Sequence, residues 1–368
     1  MKPSSGTAAT KVVQVVPGVA ASHVYCVELA DSLMELGVTL KSVETIFFVR
    51  EVLAFRPDIV HIHWLHHFTG TQADSSSWLS RFARLLAFTI QLVIVSATGS
   101  KIVWTVHELE IPESHHPELD KMCNRHVASL SHAIVTHCES ARSQVLEAYC
   151  SGCPGKVKVV PHGNLINALD NTMSRSDART FLKIPASSLV LLFLGTVRPY
   201  KGVTELIEAH RQLNRDDVLL LIVGGPILDR KECADYRDAV EKSIGGRQNV
   251  RLILKRIHDQ EIQTYMNASD AVVFPYRSIL TSGALITAMG FGKPCIASRL
   301  GCMAETLDDN GGFLYEPNDP SGLFNALCAC LENVEKLPEM GEHNRRLAQN
   351  MTWHRIAELT LQAYRGSQ

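Results

Sequence analysis

Twice along this chain, short and almost wholly apolar runs alternate with stretches of helical spacing, and that repeated alternation limits the fold more than any other feature. In the first half the run at 11–16 stops at Pro17-Gly18, and residues 24–36 carry apolar side chains at helical spacing up to Gly37. Strand-like runs follow at 58–63 (DIVHIH), 102–106 (IVWTV), 133–136 and 157–160, with a helical stretch between the last two. In the second half strands are expected at 189–194, 219–223, 250–254, 271–274 and 294–297, and helices at 203–213, 259–267 and 283–290. Strands that are apolar throughout, rather than at alternate positions, belong to parallel sheets covered on both faces. The expectation is an α/β chain of two Rossmann-like halves. The polar stretch 167–179 reads as the linker between them.

A chain of 368 residues suits two such domains, and 46% apolar with 20% charged residues is an ordinary globular mixture. Lys and Arg number 36 against 38 Asp and Glu, so no overall basic field points to nucleic acid. No uncharged apolar run reaches the roughly 20 residues needed to cross a bilayer. The first ten residues are small and polar, without the pattern of a secretory signal, so a cytoplasmic protein is expected. The ten cysteines are dispersed, with Cys150 and Cys153 the one CxxC pair, and read as ordinary free thiols rather than a metal or disulfide framework.

Ligands of open parallel sheets bind at the carboxyl ends of the strands, so the loops that follow strands matter most. The chain has no GxGxxG, no GxxxxGK[ST] and no Asp-x-Asp. Dehydrogenase and NTPase readings lose their support, and so does a metal-chelating carboxylate pair. Two segments remain. In 194–202 (LGTVRPYKG) Gly195 allows a tight strand exit, Arg198 and Lys201 supply two cations, and a helix begins just after. In 274–294 (FPYRSILTSGALITAMGFGKP) Thr281, Ser282 and Gly283 open a helix of small residues, which offers hydroxyls and backbone N–H groups to an anion. Each segment alone also fits a plain reading, a solvated basic turn or a simple helix cap. Both in one half favour a diphosphate-containing ligand.

Taken in order, RPDIVHIHW (56–64), IVWTVHE (102–108) and VKVVPHGN (157–164) are similar to the first half of the GT-B glycosyltransferases, in particular the family-4-like sugar transferases. LGTVRPYKG, ASDAVVFPY (268–276), GFGKPCIAS (290–298), Ala304-Glu305 and Asn310-Gly311-Gly312 are similar to the second half. The resemblance implies a GT-B fold, two Rossmann-like domains facing across a crevice. Residues 1–165 would take the acceptor, 166–350 the nucleotide sugar, and the helix in 351–368 would cross back to the first domain on a stripe of Trp353, Ile356, Leu359, Leu361 and Tyr364.

The resemblance further implies transfer of a sugar from a GDP- or UDP-sugar to a glycan or lipid-linked glycan, with the nucleotide sugar as substrate, no other cofactor and no metal. Lys201 matches the family's diphosphate lysine. Thr196 replaces the usual arginine, so Arg198 would stand in for it. Ile279 and Thr287 occupy the places of the family's glutamate pair, and the ILTSG form resembles a divergent branch that relies on Thr281, Ser282 and Gly283 for the phosphates. Retention or inversion is therefore not inherited. His107 matches a histidine that contacts the donor sugar. Glu108 is the first candidate for general base, with Glu110, Glu113 and His23 behind it. Two rival readings stay open, a non-catalytic nucleotide-sugar binding protein and a metal hydrolase built on the His61/His63 pair. Finally, 78–98 (WLSRFARLLAFTIQLVIVSAT) has Arg81, Arg84 and Trp78 near its start and no charge from Leu85 to Ser100. It suits either a core helix or a peripheral membrane contact at the inner face, too short to span.

Overall fold

The computed structural model describes residues 9–16, 23–70, 77–110, 114–225 and 231–366. The chain forms two compact units, Met1–Gly163 with Thr352–Gln368, and Asn164–Met351. In the first unit β1 (Lys11–Val15), β2 (Thr39–Val43), β3 (Ile59–Ile62), β4 (Lys101–Thr105), β5 (Ala133–Thr136) and β6 (Val157–Val159) form one sheet in the order β2-β1-β3-β4-β5-β6. Every pairing in it is parallel. The chain moves from β1 outward to β2 and then returns to β3 on the other side. Winding reverses between β1 and β3, which is where such sheets open a ligand crevice. Strand β2 (TLKSV) is an edge strand with only Val43 buried, so no apolar run announced it.

The helix Trp353–Arg365 packs on the helix Val24–Glu35 and against β5. Its buried face is Trp353, Ile356, Ala357, Thr360, Ala363 and Tyr364. Leu359 and Leu361, assigned to that stripe from sequence, are only half-buried. The i, i+3, i+4 positions are filled by small residues that allow close helix approach, so the larger leucines fall to the flanks.

In the second unit β7 (Leu189–Leu194), β8 (Val218–Val223), β9 (Val250–Ile253), β10 (Ala271–Phe274), β11 (Cys295–Ser298) and β12 (Gly312–Tyr315) lie in the order β12-β11-β10-β7-β8-β9, again all parallel. All six positions of β8 are buried, as a central strand covered on both faces requires. Winding reverses between β7 and β10. The stretch read as a linker is instead part of this unit. Arg175–Phe181 is helical, and the buried Arg179 donates to the carbonyls of Ala186, Ser188 and Ala268 and pairs with Asp270 at 2.8 Å. A polar segment looked like solvent-facing chain because one arginine's buried hydrogen bonds leave no trace in hydropathy.

The helix Trp78–Ala97 has 20 residues and is long and apolar enough to cross a membrane by length and composition, contrary to the sequence reading. Packing assigns it to the surface of the first unit. It buries Arg81, Leu85, Phe88, Gln91, Leu92 and Val95 along one face. Arg81 is 1% exposed, with Asp120 3.8 Å away, so it faces the protein and is no headgroup contact. The Gln91 side chain accepts from the Phe48 N–H at 2.9 Å and donates to the Ile46 carbonyl at 3.0 Å. With Gln91 satisfied by backbone groups and Arg81 turned toward Asp120, the helix lies flat on the domain.

Candidate active site

Five histidines gather at the carboxyl end of the first sheet. His61 and His63 come from β3 and its exit, His107 follows β4, His137 follows β5 and His162 follows β6. The buried Tyr25 ring stands among them, with centroids 5.8 Å from His63, 5.0 Å from His107, 5.6 Å from His137 and 4.9 Å from His162. Burial pushes their basicity down, and for all but His137 the neighbouring imidazoles add to it. His61 falls to about 3 and His137 to about 4. His63 and His107 fall well below the ordinary value of 6.5. At neutral pH the cluster is uncharged.

Hydrogen bonding sets the tautomers. The Gln14 amide nitrogen, donating to the Cys26 carbonyl at 3.4 Å, also lies 3.5 Å from His63 Nε2. An amide nitrogen has only protons to offer, so His63 Nε2 accepts and the His63 proton sits on Nδ1. His63 Nδ1 is 3.0 Å from His107 Nε2, which therefore accepts in turn and leaves the His107 proton on Nδ1. Ser42 holds the amide in that orientation by donating to Gln14 Oε1 at 3.3 Å. His107 is further clamped by the Trp64 indole, stacked at 4.2 Å and 14°. Trp64 adopts φ +34, a backbone region that bulky residues rarely enter. Sequence reasoning found His107 but missed Gln14, Tyr25 and His137. The signal for Gln14 was present, a lone polar residue inside VVQVV, 1% exposed.

Glu108 lines the same recess as His107, together with Trp64, His66 and Asn124. Its Oε1 lies 3.9 Å from His66 Nδ1. Glu110 is exposed and paired with Lys121 at 3.4 Å, Glu113 lies outside the described residues, and His23 is exposed with its ring 4.5 Å from that of Trp64. The His61 nitrogens face Tyr364 Oη at 2.8 Å and Thr105 Oγ1 at 2.7 Å, so neither is turned to an ion. Among the described residues no group of three or more His, Cys, Asp or Glu is arranged to hold a metal.

In the second unit the loops after β7 and β10 flank the point where winding reverses, and they are fastened to each other. The Arg277 N–H donates to the Tyr200 carbonyl at 2.8 Å, and the Arg277 side chain pairs with Glu205. Gly202, at φ +67, sits where any Cβ would overlap the Pro275 carbonyl. Lys201 Nζ lies 3.7 Å from the centroid of the Tyr276 ring and 4.9 Å from that of Tyr200. The Arg198 guanidinium lies 5.2 Å from the Tyr200 centroid and is 5% exposed. Gly195 makes the strand exit, its N–H bonded to the Val223 carbonyl at 3.0 Å.

Ser282 caps the helix Gly283–Gly290, its Oγ accepting from Leu285 N at 3.3 Å, and Thr281 Oγ1 is 3.6 Å from Cys302 Sγ. The loops thus bring Gly195, Arg198, Lys201, Thr281, Ser282 and Gly283 to one end of one sheet. One contribution differs from expectation. The amino end of the helix Val203–Leu213 is occupied by the Tyr236 hydroxyl, which accepts from Val203 N at 3.1 Å and Thr204 N at 3.4 Å. Arg198 and Lys201 are the cationic side chains at this exit. At the places of the missing glutamates, Ile279 packs against the core and the Thr287 hydroxyl donates to the Gly283 carbonyl at 2.9 Å.

The family of group 1 glycosyl transferases matches residues 188–333, which lie within this second unit. The chain is a glycosyltransferase with the GT-B fold. This transferase is 24% identical over 344 residues to the GDP-mannose:glycolipid 4-β-D-mannosyltransferase of Xanthomonas campestris pv. campestris, covering 92% of this chain and 87% of that one. It is 25% identical over 254 residues to a D-inositol 3-phosphate glycosyltransferase of Kineococcus radiotolerans. That match covers 65% of this chain and spans 58% of the relative's length. Among solved structures, Anabaena HepE in complex with UDP superposes with a TM-score of 0.73 at 18% identity, covering 96% of this transferase and 98% of that chain.

Proposed function

We propose that this transferase moves a sugar from a GDP- or UDP-sugar to a hydroxyl of a glycan or lipid-linked glycan without a metal ion. The observation that carries the reading is the pair of cations, Lys201 and Arg198, held on tyrosine rings where winding reverses between β7 and β10. A departing nucleoside diphosphate gains negative charge, and fixed cations beside a helix amino terminus stabilise it without reorganisation. The glycolipid acceptor in the name of the Xanthomonas relative supports the acceptor class. In this reading His107 Nδ1–H donates to a sugar hydroxyl, and Glu108 takes the acceptor proton.

The test is release of UDP or GDP from a panel of nucleotide sugars, with and without EDTA. Turnover on one donor that survives EDTA and falls about 10²-fold in Lys201→Ala is the expected result. Donor binding without turnover across the panel and a range of acceptor glycans would replace transfer with the binding-protein reading. Loss in EDTA restored by magnesium would overturn the metal-free mechanism.

A further inference from the structure

The helix Trp78–Ala97 carries two apolar stripes on opposite sides. The inner one, with Leu85, Phe88, Leu92 and Val95, is buried in the first unit. The outer one, Leu79, Phe82, Leu86, Ile90 and Val93, repeats at intervals of three and four, so it lies along one face and extends about 21 Å at 1.5 Å per residue. Leu79 is 70% exposed and Val93 53%. Ten of the fourteen exposed large apolar side chains among the described residues belong to this helix or to 46–53, which pack beside it. Phe47 and Leu53 are among them. Scattered exposed leucines need no explanation, but a continuous face of this kind marks a contact surface.

We infer that this face is a membrane-docking surface that lies in the interfacial layer of a bilayer containing anionic lipid. Three observations select a bilayer over a protein partner. Exposed aromatic rings crowd the amino end, with Trp78 stacked on Phe82 at 5.1 Å and 6°, and amphipathic rings of this kind favour the headgroup boundary. The charges beside it are mainly basic. Arg50 and Arg56 are exposed three residues either side of Leu53, against the exposed Glu44. No carboxylate occurs between Trp78 and Ser100, and the nearby Glu51 is paired with Lys41 at 2.6 Å. The polar residues of the helix that would resist a lipid, Arg81 and Gln91, are turned into the protein. An apolar face with a basic border is complementary to acyl chains beneath anionic headgroups. The surface is independent of the transfer reaction, and vesicle binding is read without donor or acceptor.

The experiment is flotation of the full chain with vesicles of phosphatidylcholine alone and of phosphatidylcholine with phosphatidylglycerol in equal parts. Binding is expected to the mixed vesicles, with Trp fluorescence quenched by brominated acyl chains. The triple variant Leu86→Gln, Ile90→Gln, Val93→Gln replaces only outward side chains and should bind roughly tenfold or more weakly. Arg50→Gln with Arg56→Gln should reduce binding to the mixed vesicles and leave the weak binding to phosphatidylcholine unchanged. Nucleotide release from the donor sugar in both variants should match the parent, which separates this result from a failure of the transferase reading. No binding by the parent chain, or equal binding by the triple variant, would overturn the inference. A concentration-dependent dimer abolished by the triple variant, without vesicle binding, would assign the face to a second copy.

Discussion

Lowering the pH from 7 to 5 should destabilise the first unit far more than its surface charges would. His61 and His137 are buried and neutral, at about 3 and about 4 against an ordinary 6.5. Above 6.5 neither folded nor unfolded chain binds these protons, so the stability is fully present there. As the pH falls below 6.5 the unfolded chain takes up a proton on each ring that the folded chain refuses, and stability is lost. The slope is about 1.4 kcal/mol per pH unit per ring, so 1.5 units cost about 2 kcal/mol for each histidine and about 4 for the two. His63 and His107 are shifted the same way and add to it. All four tryptophans (64, 78, 104 and 353) lie in the first unit, so their fluorescence in a urea titration follows its unfolding alone. The His61→Gln variant starts less stable at pH 7 but should lose about 2 kcal/mol less than the parent between pH 7 and 5. Equal urea midpoints at the two pH values would refute the neutral cluster. An unchanged loss in His61→Gln would remove that ring from the account.

Three further perturbations test the contacts that place the site. Gln14→Glu puts an acceptor where the amide donates, so the His63 proton should move to Nε2 and the His107 proton from Nδ1 to Nε2, read as exchanged ¹⁵N shifts of the two ring nitrogens; unchanged shifts would refute the relay. Tyr364→Phe removes the hydroxyl 2.8 Å from His61 Nδ1 and should cost about 1–3 kcal/mol in the same urea titration, whereas a neutral result would mean the bond contributes nothing. Gly202→Ala drives a Cβ into the Pro275 carbonyl at a positive φ and should destabilise the second unit by about 2 kcal/mol or more while weakening nucleotide binding, and calorimetry showing neither change would separate that glycine from the joined loops.

The strands that carry the site were legible because parallel strands buried on both faces are largely apolar, β7 and β10 wholly so, β3 but for His61 and β4 but for Lys101 and Thr105. Their exits could then be located to within a residue or two. What sequence could not show was anything that depends on a polar group finding its partner. Arg179 looks like a linker residue until the loop 185–188 and the residues Ala268 and Asp270 supply its acceptors. Arg81 looks like a lipid anchor until Asp120 is beside it. Tyr236 has no visible reason to be a helix cap, because its target at Val203 lies 33 residues away. The His61/His63 pair shares one strand face as a metal site would, and only Tyr364 and Thr105, distant in sequence, turn it into a hydrogen-bonded neutral pair.

The two units also differ in charge in a way that bears on the donor. In the second, cations are kept against the rings of Tyr200 and Tyr276, and burial pushes the Tyr276 phenol up. A carboxylate in the place of Thr287 would add negative charge near a diphosphate, and the Thr287 hydroxyl instead closes a turn of its own helix. In the first unit, five imidazoles are packed so tightly that none is charged at pH 7, and their order of donation is fixed from Ser42 through Gln14 and His63 to His107. Under the proposed reading the fixed cations of the second unit take the diphosphate of the donor. The diphosphate needs fixed positive charge as its bond to the sugar breaks. The sugar is neutral and is held by oriented donors, and an imidazolium beside the anomeric carbon would oppose the positive charge that develops there. Under the proposed reading an uncharged His107 serves the chemistry as well as the packing.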